Sequence, residues 1–263
     1  MDRTATDGFL ANLTATLMKD DRYLALLAGG SMLDGTMDRF SDLDLVIVYD
    51  ERHRADIFAE RMAFAGRIGP LLSGFTGEHV GEPRLLICLY GPTPLHVDLK
   101  FVTLKELESR IENPLILWER DGAASGVIRR TTPEPAVANP QWIEDRFWVW
   151  VHYGATKLGR GEWFECIDFL AFLRGAVFGP LLAARHGREP RGVRKLETFL
   201  SEDELRELRG TLANGSAESC YRAFLTAIEL YRKLRREGRE PVTVRGEAER
   251  AAVEYLHKIY SEQ

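Results

Sequence analysis

The stretch that most constrains this chain is Gly29 to Asp50, which reads GGSMLDGTMDRFSDLDLVIVYD. A small-residue turn leads through a polar loop into an apolar run that carries two carboxylates, Asp42 and Asp44. Side chains alternate along a strand, so the two carboxylates share one face while Leu43, Leu45 and Ile47 face a core. Like charges so placed repel each other, and a hard, oxygen-seeking cation such as Mg²⁺ between them relieves the repulsion. The Gly29-Gly30-Ser31 turn offers backbone N–H groups and a hydroxyl, donors that suit the oxyanions of a triphosphate. An Asp-x-Asp pair by itself says little, because two surface acids near a strand start are common.

A third carboxylate lies in a second alternating run, Leu95 to Val102, LHVDLKFV. Asp98 sits between hydrophobic residues, where an unpaired carboxylate is expensive, so a partner or a cation is expected there. Lys100, two residues on, shares its face, and both a phosphate contact and a plain ion pair suit it. Arg39 and Ser41, in the loop before Asp42, read as ordinary loop polarity within reach of a nucleotide.

A Gly-Ser turn, about a dozen residues, Asp-Leu-Asp, then a lone Asp on a later strand: in this the chain resembles the nucleotidyltransferase superfamily with the DNA polymerase beta fold. The motifs cover roughly residues 20 to 105. In length and in its helical second half, the chain is similar in layout to the bacterial nucleotidyltransferases that modify lincosamides and aminoglycosides. The resemblance implies transfer of a nucleoside monophosphate, AMP being expected, from an NTP such as ATP to a hydroxyl of a small-molecule acceptor such as an antibiotic, with release of pyrophosphate. It implies Asp42, Asp44 and Asp98 as ligands of two Mg²⁺ ions, and Gly29, Gly30, Ser31 and Lys100 on the nucleotide side. Asp98 is one candidate for the general base. In the aminoglycoside members a glutamate outside the Asp-x-Asp motif has that role, and Glu162 in the LGRGEWFE turn is the candidate here. Two alternatives stay open: adenylylation of a protein or RNA end, as by antitoxin-like minimal nucleotidyltransferases, and a nucleotide-binding module without catalysis.

The architecture expected is a mixed α/β sheet domain over residues 1–132, a proline-rich linker at 133–140, and an all-α helical bundle over 141–263. In the first half, Asp7 is expected to cap a helix, and Tyr23 to Ala28 reads as a buried strand. A covering helix over 51–65 and strands around Leu86 and Asp98 follow, with 70–83 read as loop and Thr103 with Glu106 as a capping box. In the second half, Asn139-Pro140 opens a helix, Glu162 to Phe178 reads as the central one, and Ser201 with Glu204 caps another. Asp168 and Arg174 interrupt that central helix, and an ion pair is expected for them. Glu144, Asp145, Glu162, Glu165 and Asp168 form an acidic group that would welcome an acceptor carrying amines. Arg146 and His152 have the Arg-x5-His spacing of HEPN ribonucleases. About 600° of helix separates them, so a surface arginine and a helix-face histidine is the plainer reading.

Composition bounds the partners. The net charge is −5, and the basic residues read as scattered, so no extended nucleic-acid track is expected. Cys88, Cys166 and Cys220 are far apart in apolar company, which suits reduced core thiols and a cytoplasmic protein. No apolar run of signal-peptide length opens the sequence, and no uncharged stretch of membrane-spanning length is found in it. A monomer or homodimer is expected.

Overall fold

The computed structural model describes residues 3–33 and 35–262. The chain divides into two compact units, Met1–Pro135 and Ala136–Gln263.

The first unit is a six-stranded mixed sheet with helices on both faces. Its elements are α1 (Arg3–Met18), β1 (Tyr23–Ala28), α2 (Gly30–Leu33), β2 (Leu43–Tyr49), α3 (Arg54–Ile68), β3 (Leu71–Gly77), β4 (Glu82–Tyr90), β5 (Leu95–Thr103), α4 (Leu104–Glu108), β6 (Leu115–Glu119) and α5 (Ala123–Arg130). The strand order is β3-β4-β5-β2-β1-β6. Among the described residues only β2 and β5 pair in parallel, and the crossover that a parallel pair requires is supplied by α3 and the β3–β4 hairpin. Alternation sends Leu43, Leu45 and Ile47 of β2 and Val97, Leu99 and Phe101 of β5 into a core with Leu13 and Leu17 of α1 and Ile57 and Phe64 of α3. At one end of the opposite face Val48 and Val102 meet Leu107, Ala124 and Val127 of α4 and α5. The acidic residues of β2 and β5 occupy the other end of that face.

Three local expectations are corrected. Residues 71–77, read as loop, form β3, an edge strand whose two glycines and broken register hide its alternation. Residues 115–130, where no element was expected, hold β6 and α5; β6 is only five residues long, and its register on β1 also shifts. Asp7 lies inside α1, which begins at Arg3. The Thr103 capping box is formed as expected, with the Glu106 N–H donating to Thr103 Oγ1 at 3.1 Å and the Thr103 N–H to Glu106 Oε2 at 2.8 Å.

The second unit is helical: α6 (Pro140–Gly159), α7 (Trp163–Leu173), α8 (Gly179–Arg185), α9 (Glu202–Arg209), α10 (Ala217–Glu237) and α11 (Gly246–Ser261). Asn139 caps α6 through the Trp142 N–H, 2.8 Å away. A π-helical turn, Arg174–Phe178, joins α7 to α8. The resulting helix, Trp163–Arg185, is long and apolar enough by length and composition to cross a membrane, but it carries Glu165, Asp168, Arg174 and Arg185 and so is no uncharged stretch. Its Cys166, Leu170, Leu173, Val177, Phe178 and Leu182 are buried in one core with Phe147 and Val151 of α6, Phe224 and Tyr231 of α10 and Leu256 of α11. Cys88, Cys166 and Cys220 are all buried free thiols.

One further expectation changes. Asp168 is exposed, and the Arg174 guanidinium donates to the Thr211 carbonyl at 2.8 Å, so the ion pair expected for this helix is replaced by a bond to backbone. Arg146 lies over the Trp142 ring at 4.2 Å and His152 stacks on Tyr255 at 4.5 Å, the roles of a surface arginine and a helix-face histidine.

The Ser201 box on α9 carries a pH-dependent share of stability. Glu204 is buried, and burial alone would raise its carboxyl; bonds from the Ser201 N–H, from His186 and from the Ser201 hydroxyl outweigh this and hold it at about 2. A carboxyl depressed from 4.5 to about 2 contributes fully above pH 4.5 and loses its share as pH falls towards 2, in total about 3 kcal/mol at most. Urea unfolding is therefore expected to show Glu204→Gln clearly less stable than wild type near neutrality, with the gap narrowing below about pH 4.5 and closing as pH falls through about 2. A gap independent of pH would refute this account.

Candidate active site

The turn that leaves β1 is tied to β2 by backbone, the Gly29 N–H donating to the Asp44 carbonyl at 2.9 Å. Gly30 is left-handed, with φ +58°, and a Cβ added there would lie 2.1 Å from Asp44 Oδ2. Only glycine lets the turn close this far onto the carboxylate. Ser31 follows in the short helix α2, and its carbonyl accepts from the Thr36 N–H at 3.0 Å.

Asp44 on β2 stands directly beside Asp98 on β5 in the parallel register. Asp42 lies two residues before Asp44, at the entry to the strand. Half-burial raises the Asp98 carboxyl above its ordinary range; His96 opposes that shift, and the negative charge of Asp42 adds to it. The structure thus brings Asp42, Asp44, Asp98 and the Gly29–Ser31 turn to one end of one sheet face.

Two residues that sequence reasoning missed belong to this neighbourhood. His96 Nε2 is 3.1 Å from Asp98 Oδ1. Its two-residue spacing from Asp98 on a strand, which puts both on one face, is the signal that marks it in the sequence. Glu112 Oε1 lies 3.5 Å from the position a Gly29 Cβ would take, and no motif marks it.

The remaining candidates are placed as follows. The Lys100 ammonium is 2.8 Å from Glu82, and Glu82 also takes Arg84 at 2.7 Å. The Ser41 hydroxyl is used within its own loop, donating to Asp38 Oδ1 at 3.1 Å, and Arg39 lies over the exposed Phe40 ring. Glu162 belongs to the second unit, at the start of α7, with the Lys157 ammonium 3.0 Å from it. Glu165 shares that ammonium, whereas Glu144, which the sequence grouped with these acids, is fully buried.

Among the described residues no three His, Cys, Asp or Glu side chains close on a common point as a finished metal site. What fits a hard divalent cation is the donor chemistry, oxygen ligands from neighbouring carboxylates whose mutual repulsion a cation would relieve.

No family model matches the chain, and no curated protein matches it in sequence. Among solved structures it is similar to an aminoglycoside 6-adenyltransferase from Bacillus subtilis, at 15% identity over 95% of this chain and 97% of that one, with a TM-score of 0.40. It is also similar to a nucleotidyltransferase-like protein from Exiguobacterium sibiricum 255-15, at 12% identity over 98% of this chain and 89% of that one, with a TM-score of 0.42.

Proposed function

We propose that the chain is a divalent-metal-dependent nucleotidyltransferase that moves AMP from ATP to a hydroxyl of a small-molecule acceptor such as an antibiotic, releasing pyrophosphate. The observation that carries the reading is the side-by-side placement of Asp44 and Asp98, with the Gly29–Ser31 turn closed onto Asp44. Asp42, Asp44 and Asp98 would hold the divalent ions, which when bound supply Lewis-acid polarisation of the phosphate and offset its charge. The N–H groups and hydroxyl of the Gly29–Ser31 turn would take phosphate oxygens. Asp98 would receive the acceptor's proton, since a carboxyl raised by burial is a better base, and the bond to His96 would fix which oxygen is presented.

The test is incubation of the full chain with NTPs labelled in the α-phosphate, Mg²⁺ and a panel of hydroxyl-bearing acceptors. Label should pass to an acceptor with equal release of pyrophosphate, and EDTA should stop it. Absence of transfer from every NTP, together with NTP binding that EDTA leaves unchanged, would overturn the reading. Glu162 is the second candidate base: with the acceptor in hand, Glu162→Gln should lower the rate at unchanged NTP affinity if Glu162 serves, and leave both unchanged if Asp98 does.

A further inference from the structure

The second unit concentrates positive charge in one place. Residues 185–195, RHGREPRGVRK, hold five Arg or Lys side chains against one acid, in a chain whose net charge is −5. Two of the five are neutralised, Arg185 by Glu237 at 2.7 Å and Arg191 by Glu189 at 2.8 Å. Arg188, Arg194 and Lys195 are exposed and have no carboxylate partner among the described residues. Arg188 instead lies over the Phe199 ring at 4.7 Å. Glu197, exposed in the following turn, is the nearest acid in sequence to Lys195.

The loop is held in a fixed shape. Gly192 is left-handed at φ +60°, and its carbonyl oxygen packs so closely on the joint between the π turn and α8 that a Cβ added to Gly179 would lie 2.0 Å from it. Lys195 is also left-handed, φ +58°, a conformation that an L side chain adopts only when its surroundings impose it. Here the imposition comes from the Lys195 carbonyl, which accepts from the Thr198 N–H at 3.0 Å and the Thr198 hydroxyl at 2.7 Å. The carbonyls of Arg191, Val193 and Lys195 thus accept bonds within the segment and the turn that follows it. The N–H groups of Gly192, Val193 and Lys195 donate to no acceptor among the described residues. Unpaired N–H donors beside unneutralised cations, on a backbone already in position, make the recognition pattern for a polyvalent oxyanion.

We propose that Arg188, Arg194 and Lys195, with the N–H groups of Gly192, Val193 and Lys195, form a binding site for the phosphates of an oligophosphate chain, either free or as the tail of a nucleotide. The site lies wholly in the second unit and does not depend on the nucleotidyltransferase reading.

Calorimetry of the full chain at low salt in EDTA, with inorganic tripolyphosphate, ATP and adenosine as probes, tests it. EDTA keeps the carboxylates of the first unit from reporting through a metal. Tripolyphosphate should bind and adenosine should not, and the affinity should fall as salt rises. The triple change Arg188→Ser, Arg194→Ser, Lys195→Ser should weaken binding at least about a hundredfold, on the order of tenfold for each cation removed. Because Arg188 also packs on Phe199, a second variant guards against a folding artefact. Lys195→Gly suits the left-handed backbone and should melt no lower than wild type, yet bind tripolyphosphate about tenfold more weakly. If the triple variant loses tripolyphosphate and ATP together, the loop serves a nucleotide tail; loss of tripolyphosphate alone assigns it to free oligophosphate. Absence of tripolyphosphate binding by the wild type, or equal binding by wild type and a folded triple variant, overturns the proposal.

Discussion

Exchange of Asp44 for asparagine is expected to lower nucleotidyl transfer by about a thousandfold or more while leaving the melting transition in place. The side chain keeps its volume, so the closure of the Gly30 turn onto it is not disturbed sterically. What is lost is one negative charge beside Asp98. For folding, that loss relieves the repulsion between two neighbouring carboxylates. For the proposed catalysis it would remove one of the carboxylates that hold the metal, leaving Asp42 just before β2 and Asp98 on β5, and charge neutralisation carries most of the barrier reduction in phosphoryl transfer. Parallel measurements of pyrophosphate release and of thermal unfolding separate the two effects. A variant that works within about tenfold of wild type with a normal Tm would remove Asp44 from the site. A variant that is inactive because it unfolds would show the carboxylate to be structural instead.

Much of this site was legible because strand alternation is a strict rule. Once Leu43, Leu45 and Ile47 are read as core, Asp44 has only one face to occupy, and the same logic places Asp98. The parallel pairing that sets those two residues side by side was not legible, since register between distant strands is a tertiary property. Capping boxes at Thr103 and Ser201 were readable because each is closed within four residues. Most of the misses come from signals that depend on distant partners. β3 is recognisable as a strand only through β4, and β6 only through β1. Arg174 looked like half of an ion pair because its real acceptor, the Thr211 carbonyl, lies 37 residues away and carries no sequence mark. The basic loop was overlooked for a different reason. Five cations in eleven residues read as scattered surface charge until the fold shows which of them are already neutralised.

Glu144 gives the largest expected effect on stability, and it reverses what its acidic neighbours suggest in sequence. Its side chain has 0% exposure. Four donors converge on it: the Tyr231 hydroxyl at 2.6 Å, the Arg245 N–H at 2.8 Å, the Trp148 Nε1–H at 3.1 Å and the Arg235 guanidinium at 3.1 Å. Burial pushes the carboxyl up, but these donors together hold it below its ordinary range, so it is ionised in the folded unit. The network ties α6 to α10 and to the segment entering α11, with Arg235 reaching on to Glu249 at 2.9 Å. Glu144→Ala would leave the Tyr231 and Trp148 donors buried without an acceptor, while Arg235 would keep Glu249. The expected cost is about 3–5 kcal/mol, the range for breaking a buried ion pair from one side. Glu144→Gln keeps an acceptor oxygen and should cost less. A depressed carboxyl contributes its full stabilisation above the ordinary carboxylate pKa and loses it as pH falls through the folded value, so the gap between wild type and Glu144→Ala should narrow in acid. Denaturant unfolding followed by tryptophan fluorescence measures both. Should Glu144→Ala unfold at the wild-type midpoint and instead bind an identified acceptor poorly, Glu144 would be an acceptor ligand and the buried network of no consequence for the fold.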